Sequence, residues 1–137
     1  MIVKKLAIVG AGPNSLYALD YILKSSIEYP LKKITLEIDI FEKNNEFGPG
    51  LHLTSTLPEA KLNRIAGQIS LSSKKKVKFN LSKNTQYFET FLEWSNYMFM
   101  KTKDIKYRFR SDDWPPRYIL GEALKSQFSV IVNLLRE

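Results

Sequence analysis

Gly10 and Gly12 stand two apart at the end of a short apolar run, Leu6-Ala7-Ile8-Val9-Gly10-Ala11-Gly12-Pro13-Asn14-Ser15-Leu16. That spacing suits a bound pyrophosphate. A glycine at 10 lets the chain turn sharply, and one at 12 removes the side chain that would hold the anion off the backbone. Pro13 fits the first position of a helix, where its missing N–H has no partner to lose. A helix opening there aims its first amides and the positive end of its dipole at the turn. Asn14 and Ser15 complete the candidate cradle. Ser15 takes the third position of G-x-G-x-x-G, which needs a small residue for close packing of helix on strand.

Glu42 is the second candidate. It closes an alternating run at 34–41, and an acidic residue there accepts hydrogen bonds from the ribose hydroxyls of a dinucleotide. Its distance from the glycines exceeds the usual ~20 residues; the long connection at 26–33 accounts for the excess. A carboxylate at this place repels a 2′-phosphate, so FAD or NAD is expected rather than NADP. Lys43 flanks it as a further cofactor-binding candidate. His52 has the chemistry of a base, but a lone loop histidine is more commonly structural.

Composition removes several other chemistries. The chain has no cysteine and one histidine, which excludes disulfides, thiolate catalysis and metal sites built on Cys or clustered His. At 137 residues one domain is expected, with enough apolar and aromatic residues for a core. The net charge of +7 is mostly lysine, including Lys74-Lys75-Lys76. Without a nucleic-acid motif beside it, that run reads as a solvated loop, and no nucleic-acid partner is expected. Residues 1–12 imitate a signal peptide, but the apolar run is too short and leads into a glycine turn. No stretch approaches the ~20 apolar residues of a membrane helix. A soluble, cytoplasmic protein with no membrane partner is the expectation.

The elements that must hold these residues follow from periodicity. A buried strand is expected at 6–9 and a helix at 13–25, with Ser15, Ala18, Leu19 and Ile22 on its packed face. A second strand at 34–41 turns Ile34, Leu36, Ile38 and Ile40 one way and Thr35, Glu37 and Asp39 the other. Together these make a βαβ unit at about 4–42. Residues 44–71 form a long irregular segment containing Gly48-Pro49-Gly50, long enough to be functional. Val77, Phe79 and Leu81 alternate as in a short strand. Asn84 or Thr85 is placed to cap a helix running to about 100, with Phe88, Phe91, Leu92, Ser95 and Phe99 on one side. A last amphipathic helix follows Trp114-Pro115-Pro116-Arg117-Tyr118. The fold class is α/β, with a Rossmann-type parallel sheet left unfinished by so few strands.

Three separated stretches carry a resemblance. They are Ile8-Val9-Gly10-Ala11-Gly12-Pro13; Phe47-Gly48-Pro49-Gly50 with Leu62-Asn63-Arg64-Ile65-Ala66-Gly67-Gln68-Ile69-Ser70; and Trp114-Pro115-Pro116-Arg117-Tyr118 with Gly121 and Glu122. In this order they resemble the N-terminal FAD/NAD(P)-binding region of the flavoprotein family that includes FAD-dependent urate hydroxylases and aspartate N-monooxygenases. The resemblance implies a glutathione-reductase-like FAD-binding fold, with residues 1–137 as the N-terminal part of the domain. It implies FAD as cofactor, NAD(P)H bound elsewhere, and oxygen insertion into a small-molecule substrate. Gly10, Gly12, Pro13 and Asn14 would meet the pyrophosphate, Glu42 the ribose, and Asn63 the flavin side; the role of Arg117 stays open.

Members of that family are several times longer. A partner chain, a C-terminal continuation or self-association is therefore expected to complete the sheet. Two other functions fit the same residues: a subunit of an NAD-dependent dehydrogenase, and a non-catalytic dinucleotide-binding or interaction module. Flavin absorbance separates the first of these from a flavoprotein.

Overall fold

Alternating apolar residues give β2 (Ile34–Phe41), and it lies parallel to β1 (Ile2–Val9) in a two-stranded sheet. The computed structural model describes residues 1–30, 32–52, 57–82 and 84–137. The ladder runs in register from Ile2 opposite Ile34 to Val9 opposite Phe41. Between the strands comes α1 (Pro13–Glu28); α2 (Phe91–Thr102) and α3 (Arg117–Arg136) follow, with short 3-10 turns at Ala66–Gln68 and Ile105–Tyr107. The class is α/β, and the β1–α1–β2 order is that of a Rossmann-type dinucleotide-binding fold.

β2 has the bounds its alternation predicts. β1 is longer than the expected 6–9, because Ile2, Val3, Lys4 and Lys5 also pair with β2. The lysines do not disturb the strand, since β1 is almost wholly exposed, and Lys5 Nζ meets Glu37 Oε2 across the ladder at 3.1 Å.

The core lies on the helices rather than on the sheet. Leu16, Leu19 and Leu23 of α1 join Ile119, Leu124, Phe128 and Ile131 of α3, Phe91 and Trp94 of α2, and Leu62, Ala66, Ile69 and Leu71 of the long connection. The expected packed face of α1 is thereby corrected. Leu19 is buried as expected, but Ala18 is exposed and Ser15 and Ile22 only half-buried; the buried set is Leu16, Leu19, Asp20, Leu23 and Lys24. α1 presents that face to α3 and to residues 70–89, so the stripe is rotated from the one that would face a sheet.

Residues 72–82 form no strand, contrary to the alternation of Val77, Phe79 and Leu81. Side chains hold the start of this segment instead. Asp20 Oδ2 accepts from Ser73 N at 2.8 Å and from Ser73 Oγ at 2.6 Å, and its Oδ1 accepts from the Tyr87 hydroxyl at 2.5 Å. Lys24 Nζ lies 3.1 Å from Asp20 Oδ2 and 3.3 Å from Glu89 Oε1. Ser72 Oγ donates to Glu89 Oε2. Burial, and then the bond to Asp20, push the Tyr87 phenol far above its ordinary range. An alternating pattern marks a strand only where a neighbouring ladder takes up its amides.

The helix expected from Asn84 or Thr85 begins at Phe91. Thr90 and Glu93 form a capping box: Thr90 Oγ1 accepts from Glu93 N at 3.3 Å, and Glu93 Oε2 accepts from Thr90 N at 3.0 Å. That reciprocal pair outcompetes an upstream cap. Phe88 stays outside the helix, where buried Gln127 of α3 satisfies it completely, accepting from Phe88 N at 3.1 Å and donating to Phe88 O at 2.8 Å.

Asp20 and Lys24 are fully buried, so removing one charge strands the other. Lys24→Met is expected to destabilise the fold by ~3–5 kcal/mol, and Asp20→Asn in the same chain to recover part of that loss. Denaturant unfolding of both variants checks the ordering.

Candidate functional site

β1 delivers the chain to Gly10, whose φ is +87°. An L side chain is strained there whatever the space around it, which is why position 10 is glycine. Gly10 N donates to Phe41 O at 2.8 Å, carrying the ladder one residue past the strand. Gly12 is different. It is the N-cap of α1 with φ −85° and ψ −169°, and no side chain caps the helix. A Cβ built on it meets nothing nearer than Gly50 Cα at 3.8 Å. Backbone geometry does not demand glycine at 12, and the bare surface it leaves is at a helix N-terminus.

Pro13 occupies the first helical turn, and the Asn14 side faces solvent. Ser15 Oγ reaches back to donate to Gly10 O at 2.5 Å, tying the helix to the turn. Ala11, between the glycines, is fully buried and held on both sides. Its N–H donates to Glu42 Oε2 at 2.8 Å, and its carbonyl accepts from Gly48 N at 2.7 Å. Glu42 Oε1 accepts from Asn44 N at 3.0 Å. The Asn44 amide, and next the Ala11 amide, hold the Glu42 carboxyl below its ordinary range. The strand-end glutamate is therefore brought to the glycine turn as an ionised group, with Lys43 exposed beside it.

Asn63 lies elsewhere, on a cavity of about 770 Å³ shared with Tyr17, Arg64, Gln68, His52 and Leu120. Burial, with the positive charge of Arg117 second, keeps the His52 imidazole below its usual range, and therefore neutral at pH 7. Arg117 braces the same segment: its N–H donates to Ala60 O at 2.8 Å and its Nε to Lys61 O at 3.4 Å. Leu62 N donates to Pro115 O at 3.0 Å, Ala66 N to Asp113 O at 2.8 Å and Gly67 N to Ser111 O at 2.8 Å. The stretches around 62–70 and 114–118, far apart in sequence, are thus hydrogen-bonded neighbours.

Sequence reasoning named Gly48 and Gly50 but did not place them at the turn. Gly48 (φ +108°) and Gly50 (φ +57°) sit directly against it, and a Cβ at Gly50 would stand 3.1 Å from Pro13 Cδ. Gly-Pro-Gly was a legible turn signal, but nothing in the sequence tells which neighbour that turn packs on. Among the described residues no group of His, Asp and Glu is arranged to hold a metal, and no helix is long and apolar enough to cross a membrane.

The Glu42 hydrogen bonds carry a pH dependence. A carboxyl held lower in the fold than in the unfolded chain contributes stability above its unfolded value, near 4.3, and loses it as pH falls through the folded value. The protein is expected to lose stability on acidification below about pH 5 more steeply than Glu42→Gln, as urea titrations over that range will show.

The glycine turn, the ionised Glu42 and the bare helix N-terminus form one connected site. No curated protein matches the chain. The family model described as FAD-NAD(P)-binding matches residues 7–137, from within β1 to the end of α3. The chain belongs to this FAD-NAD(P)-binding family.

Proposed function

We propose that residues 1–137 are the N-terminal part of an FAD-binding domain, built on the βαβ core at about 4–42. In this reading the domain serves a flavin-dependent oxidoreductase of the NAD(P)H-using monooxygenase type, like the urate hydroxylases and aspartate N-monooxygenases. The observation that carries the dinucleotide reading is the bond from Ala11 N to Glu42 Oε2, which sets a ribose acceptor beside a helix N-terminus that no side chain caps. The residues fit the group. A Cβ at Gly10 meets nothing within 4 Å and one at Gly12 nothing within 3.8 Å, so the turn offers open backbone to a pyrophosphate. The stretches at 47–50, 62–70 and 114–118 favour the flavin over a nicotinamide dinucleotide, because the resemblance to flavoproteins rests on them.

The roles follow from position. Gly10, Gly12, Pro13, Asn14 and Ser15 take the pyrophosphate at the start of α1, where the dipole favours negative charge. Glu42 accepts from the ribose hydroxyls through lone pairs that Ala11 and Asn44 leave free. Lys43 flanks the adenosine end, and Asn63 is assigned to the flavin side. When bound, FAD supplies the redox chemistry, while this chain binds and orients it. The NAD(P)H and substrate sites are assigned to sequence outside these residues or to a partner chain.

Titration with FAD and with NAD tests the reading. The protein is expected to retain FAD, with flavin absorbance after gel filtration; retention of NAD alone would replace the flavoprotein reading with the dehydrogenase one. Gly12→Ala should keep the fold, since its Cβ has room, yet weaken FAD binding on the order of a hundredfold by lifting the pyrophosphate off the backbone. Glu42→Ala should weaken it roughly tenfold or more, while the strand control Asp39→Ala leaves it unchanged. Sensitivity to the Asp39 change alone would place the ribose contact wrongly.

A further inference from the structure

The turn after β2 is pressed between two layers. On one side Gly48 N donates to Ala11 O at 2.7 Å, and a Cβ at Gly50 would stand 3.1 Å from Pro13 Cδ and 3.7 Å from Gly12 Cα. On the other side a Cβ at Gly48 would fall 2.5 Å from Leu124 O and 2.9 Å from Phe128 Cβ, both on α3. Pro49, between the glycines, is fully buried, and the ring of Phe47 lies 5.9 Å from that of Phe128. One layer of backbone therefore separates α3 from the glycine turn. Such contacts give no freedom to move one layer without the other, because close-packed interiors transmit displacement rather than absorb it.

We propose that the Gly48–Gly50 turn is a positioning element for the dinucleotide turn, and that the packing of α3 at Leu124 and Phe128 sets dinucleotide affinity through it. This rests on the reading of the glycine turn as a dinucleotide site. The turn fixes Ala11 from the carbonyl side while Glu42 fixes it from the amide side, so the residue between the two glycines has one position. A pyrophosphate bound by backbone amides needs those amides aimed at its oxygens, and losing one such charge-assisted hydrogen bond forfeits roughly tenfold or more. α3 thus acts on the site without presenting a side chain to it.

Gly50→Ala tests this, because it puts an L side chain at φ +57° against Pro13. Two readouts apply: FAD affinity by fluorescence titration, and amide hydrogen exchange at Ala11 and Gly48 without ligand. At a temperature where the variant is folded, binding is expected to weaken roughly tenfold or more, with faster exchange at both amides. Thr90→Ala, which removes the α2 cap away from the turn, lowers stability and should change neither readout. Unchanged FAD affinity in Gly50→Ala, or unchanged exchange at Ala11 and Gly48, overturns the proposal. Should Gly50→Ala fail to fold, Phe128→Leu trims the same layer from the α3 side and must show both changes to a smaller degree; silence there also overturns it. If the unmodified protein binds neither FAD nor NAD, the dinucleotide reading fails, and exchange at Ala11 and Gly48 still decides whether the turn is positioned from α3.

Discussion

The hydrogen bond from the Ala11 amide to Glu42 is the constraint on which the site depends. Ala11 is fully buried, and a buried amide in an irregular turn needs a partner that secondary structure does not supply. β2 provides it at its last step, so the end of one strand fixes the exit of the other. The partner is an ionised carboxylate, which makes the bond charge-assisted and shorter than a neutral one. The amides of Ala11 and Asn44, with a smaller contribution from that of Lys43, use only part of the capacity of that carboxylate, which has about four lone-pair positions. The same side chain can therefore hold the turn and still accept hydroxyl groups from a ligand.

The sheet itself contributes little burial. Parallel strands ordinarily lie under cover on both faces, yet here Leu6, Val9, Leu36 and Phe41 are exposed. A groove of about 1250 Å³ runs between β2, α1 and α3, lined by Leu19, Ile22, Ile38, Ile40, Phe128 and Val132. The βαβ unit is instead held through α1, whose buried leucines share a core with α3 and the long connection. The glycine turn thus takes its rigidity from helix packing and from the hydrogen bonds at Ala11 more than from a covered sheet.

What the sequence revealed and what it hid divide along physical lines. β2 was legible to the residue because a strict two-residue alternation admits one register. The start of α1 was legible from Pro13, and the strand-end glutamate from its place after the alternation. The packed face of α1 was not. Asp20 and Lys24 are buried because Ser73, Tyr87 and Glu89, from 53 to 67 residues away from the charges they meet, satisfy them. The alternation at 77–81 misled for a related reason: among the described residues no neighbouring strand pairs with it, and Phe79 packs on Tyr87 and Lys24 instead. Thr90 and Glu93 were a visible capping box, hidden by an aromatic run that continued the helical period upstream.

Charge gives the site its direction on the proposed reading. A pyrophosphate at the start of α1 meets the positive end of a helix dipole with no acidic residue in the first turn to oppose it. The negative charge of Glu42 stands at the end of β2, where its oxygens already face the amides of Ala11 and Asn44. A ligand whose ribose hydroxyls are free can donate to that carboxylate; one bearing a 2′-phosphate brings a second negative charge against it, and among the described residues no guanidinium is bonded to Glu42 to offset the repulsion. The amides that lower the Glu42 pKa keep the carboxylate charged at neutral pH, and so keep this discrimination in force. On that reading, stability of the turn and choice of ligand rest on the same ionised side chain, and a substitution that neutralises it is expected to alter both together.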